Sequence, residues 1–84
     1  MLRPRIDHAI HLQLDRLTYL LRDVERSGGR DNWSHLFSHG HKYPTVRSAI
    51  RQGKLRETSA YRYELTDTGR QYLTDVEAVR MQSA

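Results

Sequence analysis

The spacing of apolar residues changes period twice along this chain, and that alternation limits the fold more than any other feature. Ile6, Ile10, Leu14, Leu17, Leu21 and Val24 recur at intervals of three and four. At about 100° per residue they gather on one arc of a helix, with Ala9 and Leu20 at its edge and Asp15, Arg22 and Arg26 opposite. After Gly53 the period drops to two: Tyr61, Tyr63 and Leu65 alternate with Arg62 and Glu64, as in a strand with one wet face. After Thr66 the helical period returns in Tyr72, Leu73, Val76 and Val79. The 84 residues have material for one core, so helices and hairpin must share it. The expected fold class is mostly α with a small β-hairpin, in a single domain over 1–84.

Local signals set the boundaries. Ser27-Gly28-Gly29 ends the first helix, 6–26, and opens a linker over 27–30. Asp31 is expected to cap a second helix that runs to about His39, buries Trp33, Leu36 and Phe37, and stops at Gly40. Pro44 suits the first turn of a third helix, 43–52, where Thr45 offers an alternative cap, and Gly53 suits the left-handed position after it. Residues 31–53 therefore read as two helices around a tight turn. Residues 54–57 and 61–65 read as strands of a hairpin, 54–65, with Thr58, Ser59 and Ala60 at its tip. Thr66 is placed to cap the last helix, which occupies most of 66–81.

Several functional classes are excluded or disfavoured. The chain has no cysteine, which removes disulfides, thiol catalysis and thiolate zinc sites. Aliphatic runs are no longer than Leu20-Leu21, far short of the roughly 20 residues of a membrane span. Asp7, His8 and His11 interrupt any signal-peptide core, so a cytoplasmic, nucleoid-associated protein is expected. Gly28-Gly29 follows a helix rather than a strand, and no Ser, His, Asp spacing marks a triad. Neither an enzyme nor a cofactor is expected.

Charge is concentrated rather than spread. Lys and Arg number 14 against 10 Asp and Glu, for a net +4. Residues 42–62 alone hold Lys42, Arg47, Arg51, Lys54, Arg56 and Arg62 against Glu57, so that stretch carries +5 and the rest of the chain −1. On helix 43–52, Val46, Ala49, Ile50 and the following Gly53 share the side that must face the core. Arg47, Ser48 and Arg51 point the other way, flanked by Thr45 and Gln52. The major groove of B-DNA admits a helix, and Arg and Gln carry the hydrogen-bonding groups that read guanine and adenine. Lys42 and Tyr43 at the start of that helix join the expected DNA-binding set. Lys54, Arg56, Arg62, Thr58 and Ser59 on the hairpin suit phosphates or a minor groove. Arg62 has a second option, pairing with a neighbouring Glu.

Leu12 and Tyr19 lie seven apart outside the main arc, either a dimerisation patch or ordinary exposed apolar residues. His35 and His39, with His41 beyond, have a spacing that can share a metal, but without cysteine or an evident third ligand no metal site is expected, and they read as polar surface, or His39 and His41 as phosphate contacts beside helix 43–52. The arm Arg3-Pro4-Arg5 could clamp a nucleic-acid backbone.

The segment Thr45-Val46-Arg47-Ser48-Ala49-Ile50-Arg51-Gln52-Gly53-Lys54-Leu55 and the later Tyr61-Arg62-Tyr63-Glu64-Leu65-Thr66-Asp67-Thr68-Gly69-Arg70-Gln71-Tyr72-Leu73 resemble the core of winged helix-turn-helix repressors. The likeness is to the PadR and MarR groups and to phage and archaeal virus repressors, and it covers roughly residues 31–80. It implies a winged helix-turn-helix with an extended N-terminal helix, binding double-stranded DNA sequence-specifically as a homodimer in transcription regulation. Helix 43–52 would be the reader and 54–65 the wing. Tyr43 stands where these proteins usually have a capping Ser or Thr, and the turn Ser38-His39-Gly40-His41-Lys42 is unusually rich in His. With little chain after the last helix, the dimer contact is expected on helix 6–26, the last helix, or both. The alternative function is a winged-helix protein-interaction module or an accessory factor in recombination or replication.

Overall fold

The computed structural model describes the backbone of residues 5–83 and the side chains of residues 16–79. Its elements are α1 (Arg5–Arg26), β1 (Arg30–Asn32), α2 (Trp33–Ser38), α3 (Tyr43–Arg51), β2 (Leu55–Ser59), β3 (Arg62–Leu65) and α4 (Asp67–Ser83). The chain is mostly helical, with one antiparallel sheet in the order β1-β3-β2. The side chains of Arg5, Ile6, Ala9, Ile10, Leu12, Leu14 and Asp15, and the whole of Arg3 and Pro4 of the expected arm, lie outside the described residues.

α1 ends as the glycines require: Gly28 and Gly29 adopt φ of 84° and 87°, and the Gly29 amide donates back to the Val24 carbonyl. The residues that follow are not a linker. The Gly29 carbonyl accepts from the Leu65 amide at 2.8 Å, which starts a pairing that Arg30, Asp31 and Asn32 continue opposite Glu64, Tyr63 and Arg62. Asn32, not Asp31, caps α2, its side-chain oxygen accepting from the His35 amide at 3.0 Å. The Asp31 carboxylate is drawn instead to the Asn32 amide and the His35 ring. α3 has Lys42 at its cap position, with no side-chain capping bond from Thr45 or any other residue, and Pro44 in its first turn. Gly53 follows it at φ 72°.

The hairpin departs from simple alternation. Leu55, Arg56 and Glu57 pair with Leu65, Glu64 and Tyr63, but Ser59 pairs with Arg62, so a bulge falls at Thr58. The strand therefore runs through Thr58 and Ser59, and the tip is Ala60-Tyr61, with Tyr61 at φ 61°. This turns Tyr61 away from Tyr63 and Leu65: those two are buried, while Tyr61, expected beside them, is 58% exposed. The Trp33 amide bonds the Tyr61 carbonyl at 2.9 Å, so the tip is tied to the body.

The core comprises Leu17, Leu20, Leu21 and Val24 of α1, Leu36, Val46, Ala49, Leu55, Tyr63, Leu65 and Leu73, with Trp33, Ile50 and Tyr72 packed at its margin. Leu20 is wholly enclosed rather than marginal, because α1 meets α3 as well as the sheet and α4. The same wrapping places Arg22, expected on the outer side of α1, in an ion pair with Glu77 of α4. Phe37 is not a core residue: α2 has six residues, Leu36 takes its inward position, and Phe37, about 100° round, is 67% exposed. Burial also fades along α4, from Leu73 inside to a largely exposed Val79. Thr66 caps α4 by accepting from the Gly69 amide at 3.0 Å, and its hydroxyl donates to the Gly53 carbonyl at 2.6 Å. The end of α3 is thereby bolted to the start of α4.

Candidate nucleic-acid interface

α3 is held by its inner side and free on its outer one. Val46 and Ala49 are fully buried and Ile50 partly so, leaving Arg47 and Arg51 exposed. Tyr43, Arg47 and Arg51 stand four apart, so they form one row along the outer side of the helix. Among the described residues, neither arginine has an ion-pair partner. Two cationic forks without an intramolecular acceptor are available to carboxylate, phosphate or a guanine edge. Lys42 is exposed beside the row, and Thr45 and Ser48 are half-buried.

Other expected contacts are engaged within the chain. Gln52 donates to the Ser48 hydroxyl at 2.9 Å and accepts from the Lys54 ammonium at 2.5 Å, so reading a base with Gln52 requires both bonds to be exchanged. Lys54 lies 4.2 Å from the centre of the Tyr72 ring, and partial burial lowers its pKa. Its charge is thus drawn toward α4. Arg56 bonds Glu64 at 3.0 Å, and that hydrogen bond holds the Glu64 carboxyl below its ordinary range. The pairing foreseen for Arg62 is therefore made by Arg56. Arg62 has no ion pair among the described residues. With Arg30, Asn32 and Thr58, and the acidic Asp31 and Glu64, it lines a cleft at the outer side of the sheet, and Ser59 is exposed opposite it. The predicted residues thus fall in two groups, one along α3 and one on the outer sheet face. Arg30 joins the second group through β1, whose pairing no local pattern announced.

The histidines have intramolecular roles. Asp23, buried on α1, accepts through one oxygen from His39 Nδ1 and from His41 Nε2, each at 2.7 Å. A carboxylate can only accept, so both ring nitrogens carry hydrogen. Burial alone would raise the Asp23 pKa, but the hydrogen bonds and charges of His41 and His39 outweigh it and bring the pKa below the ordinary value. Tyr19 donates to the His39 carbonyl at 3.0 Å, with its ring centre 4.3 Å from that of His41. Tyr19 makes these internal contacts while remaining 50% exposed. His35 Nδ1 donates to both Asp31 oxygens at 2.8 Å. Among the described residues, no group of three or more His, Cys, Asp or Glu is arranged to hold a metal ion. No described helix is long and apolar enough to cross a membrane.

In comparisons with protein-family models, with curated proteins and with solved structures, nothing matches the chain.

Proposed function

We propose that the protein is a winged helix-turn-helix regulator of transcription, most simply a repressor, that binds double-stranded DNA as a homodimer in the cytoplasm at the nucleoid. α3 enters the major groove and the hairpin lies against the backbone, with the dimer contact on α1, α4 or both. The reading is carried by one observation: Arg47 and Arg51 project from a helix anchored on its opposite side, with no acidic partner among the described residues. The element order supports it, since β1 precedes α2 and pairs with the hairpin that follows α3.

The test is selection of bound sequences from random duplexes, with sizing of the complex. A symmetric site and two chains per duplex are expected. Arg47→Ala or Arg51→Ala should relax preference at particular base pairs, at a cost of about 1–3 kcal/mol. Affinity should fall by orders of magnitude from about 50 to 200 mM salt. An unchanged sequence preference in both variants removes α3 as reader, and binding that ignores salt replaces DNA with a protein partner.

A further inference from the structure

Aromatic surface collects where α2 meets the start of α3. The Trp33 ring centre lies 5.6 Å from that of Phe37 and 5.2 Å from that of Tyr43, the latter edge-on. Phe37 and Tyr43 are both exposed, and the tip bonded to Trp33 carries the exposed Tyr61. Single exposed apolar residues are ordinary, but a connected aromatic patch calls for an occupant.

The charge beside the patch narrows the choice. Tyr43 opens the row that continues through Arg47 and Arg51, and Lys42 is exposed next to it, while the neighbouring acids are engaged within the chain: Glu57 accepts from the Tyr61 amide at 3.3 Å and Asp31 from the His35 ring at 2.8 Å. The occupant therefore has flat apolar faces and negative charge at neighbouring positions. Paired bases fail the first requirement, because their faces are covered by stacking and only their edges are offered. Unpaired nucleotides meet both, since each carries a bare π-face and a phosphate. An acidic peptide supplies charge without regularly spaced planar faces.

We propose that Phe37 and Tyr43, packed against Trp33, form together with the exposed Tyr61 of the adjoining hairpin tip a stacking platform for unpaired DNA bases, so that the preferred ligand is a duplex adjoined by unpaired nucleotides. The duplex half of this ligand rests on the function proposed above; the platform rests on the aromatic geometry. Trp33 is the chain's one tryptophan, so its fluorescence reports on this place alone.

The experiment titrates the full chain with a blunt duplex, the same duplex bearing an unpaired tail, and the tail strand by itself, following affinity and Trp33 emission. The tailed duplex should bind about tenfold more tightly than the blunt one and quench Trp33. Phe37→Ala, at an exposed position, should erase that preference while leaving blunt-duplex affinity unchanged. Equal binding of blunt and tailed duplex by the unaltered protein, without quenching, overturns the platform and leaves duplex binding intact. Tail binding with quenching and no duplex binding supports the platform while removing the duplex reading. Binding of none of the three at low salt removes both.

Discussion

At the scale of single residues, the joint between α3 and α4 depends on an absent side chain. A Cβ on Gly69 would sit 2.3 Å from the Lys54 carbonyl oxygen and 2.7 Å from Leu65 Cδ1, and the first obstacle is backbone that cannot step aside. Gly69→Ala should therefore cost about 3 kcal/mol, read from urea unfolding, with the loss appearing as faster unfolding or a shifted α4. A variant as stable as the parent would mean that α4 does not approach the α3–β2 turn this closely. The smaller loss of about 1 kcal/mol belongs to Asn32→Ala, which removes the α2 cap. Thr66, Gly53 and Pro44 could be assigned from sequence because caps and left-handed turns are local chemistry. Asp31 and Asn32 could not be told apart, since both are good caps and only the position of the His35 ring decides which carboxyl or amide is left for the amide of α2.

At the scale of elements, α1 is fastened to the turn between α2 and α3 by Asp23, His39 and His41, with Tyr19 bonded to the same turn. That turn leads directly into α3, so the cluster fixes where the arginine row points. His41 is buried, and Asp23→Ala would leave its ring N–H enclosed without an acceptor, at a cost of about 2 kcal/mol. The pH dependence has a definite sign. The Asp23 pKa is lower in the folded chain than its ordinary value of 3.8, so its contribution is complete above that value and is lost as pH falls through the folded value. The unaltered protein should lose stability in denaturant as pH drops below about 4, and Asp23→Asn should show a flatter acid limb. An identical limb in the two proteins would remove Asp23 as the group responsible. Much of the element pattern was legible: α1, α3 and α4 carry helical periods, and Gly53 marks the change. β1 was hidden because three polar residues have no periodicity, and its strand exists only through residues 30 to 34 positions away. Tyr61 was misplaced because a bulge at Thr58 does not register in the spacing of β3.

Across the molecule, most of the described cations expected at DNA fall on two surfaces, the α3 row and the outer sheet face, and these differ in how much charge is free. The sequence points to helix 43–52 and the hairpin, but assigns the option of pairing with a Glu to Arg62 rather than to Arg56. Packing separates them: Arg56 is tied to Glu64, with Arg30 on the other side of the same carboxylate, whereas Arg62 has no ion pair among the described residues. A phosphate contact contributes to salt dependence only if its counterion is solvent ion rather than a protein carboxylate. Arg62→Ala should therefore weaken duplex binding for all sequences and reduce the salt slope by about one, while Arg56→Ala changes the slope by less. Glu64→Gln should do the opposite of both. It removes one negative charge and releases Arg56, so affinity should rise and the slope should steepen by about one. The measurement is the duplex dissociation constant against salt for the parent and the three variants. If Arg62→Ala and Glu64→Gln both leave the slope where it was, the hairpin is remote from the phosphates and the whole contact belongs to α3.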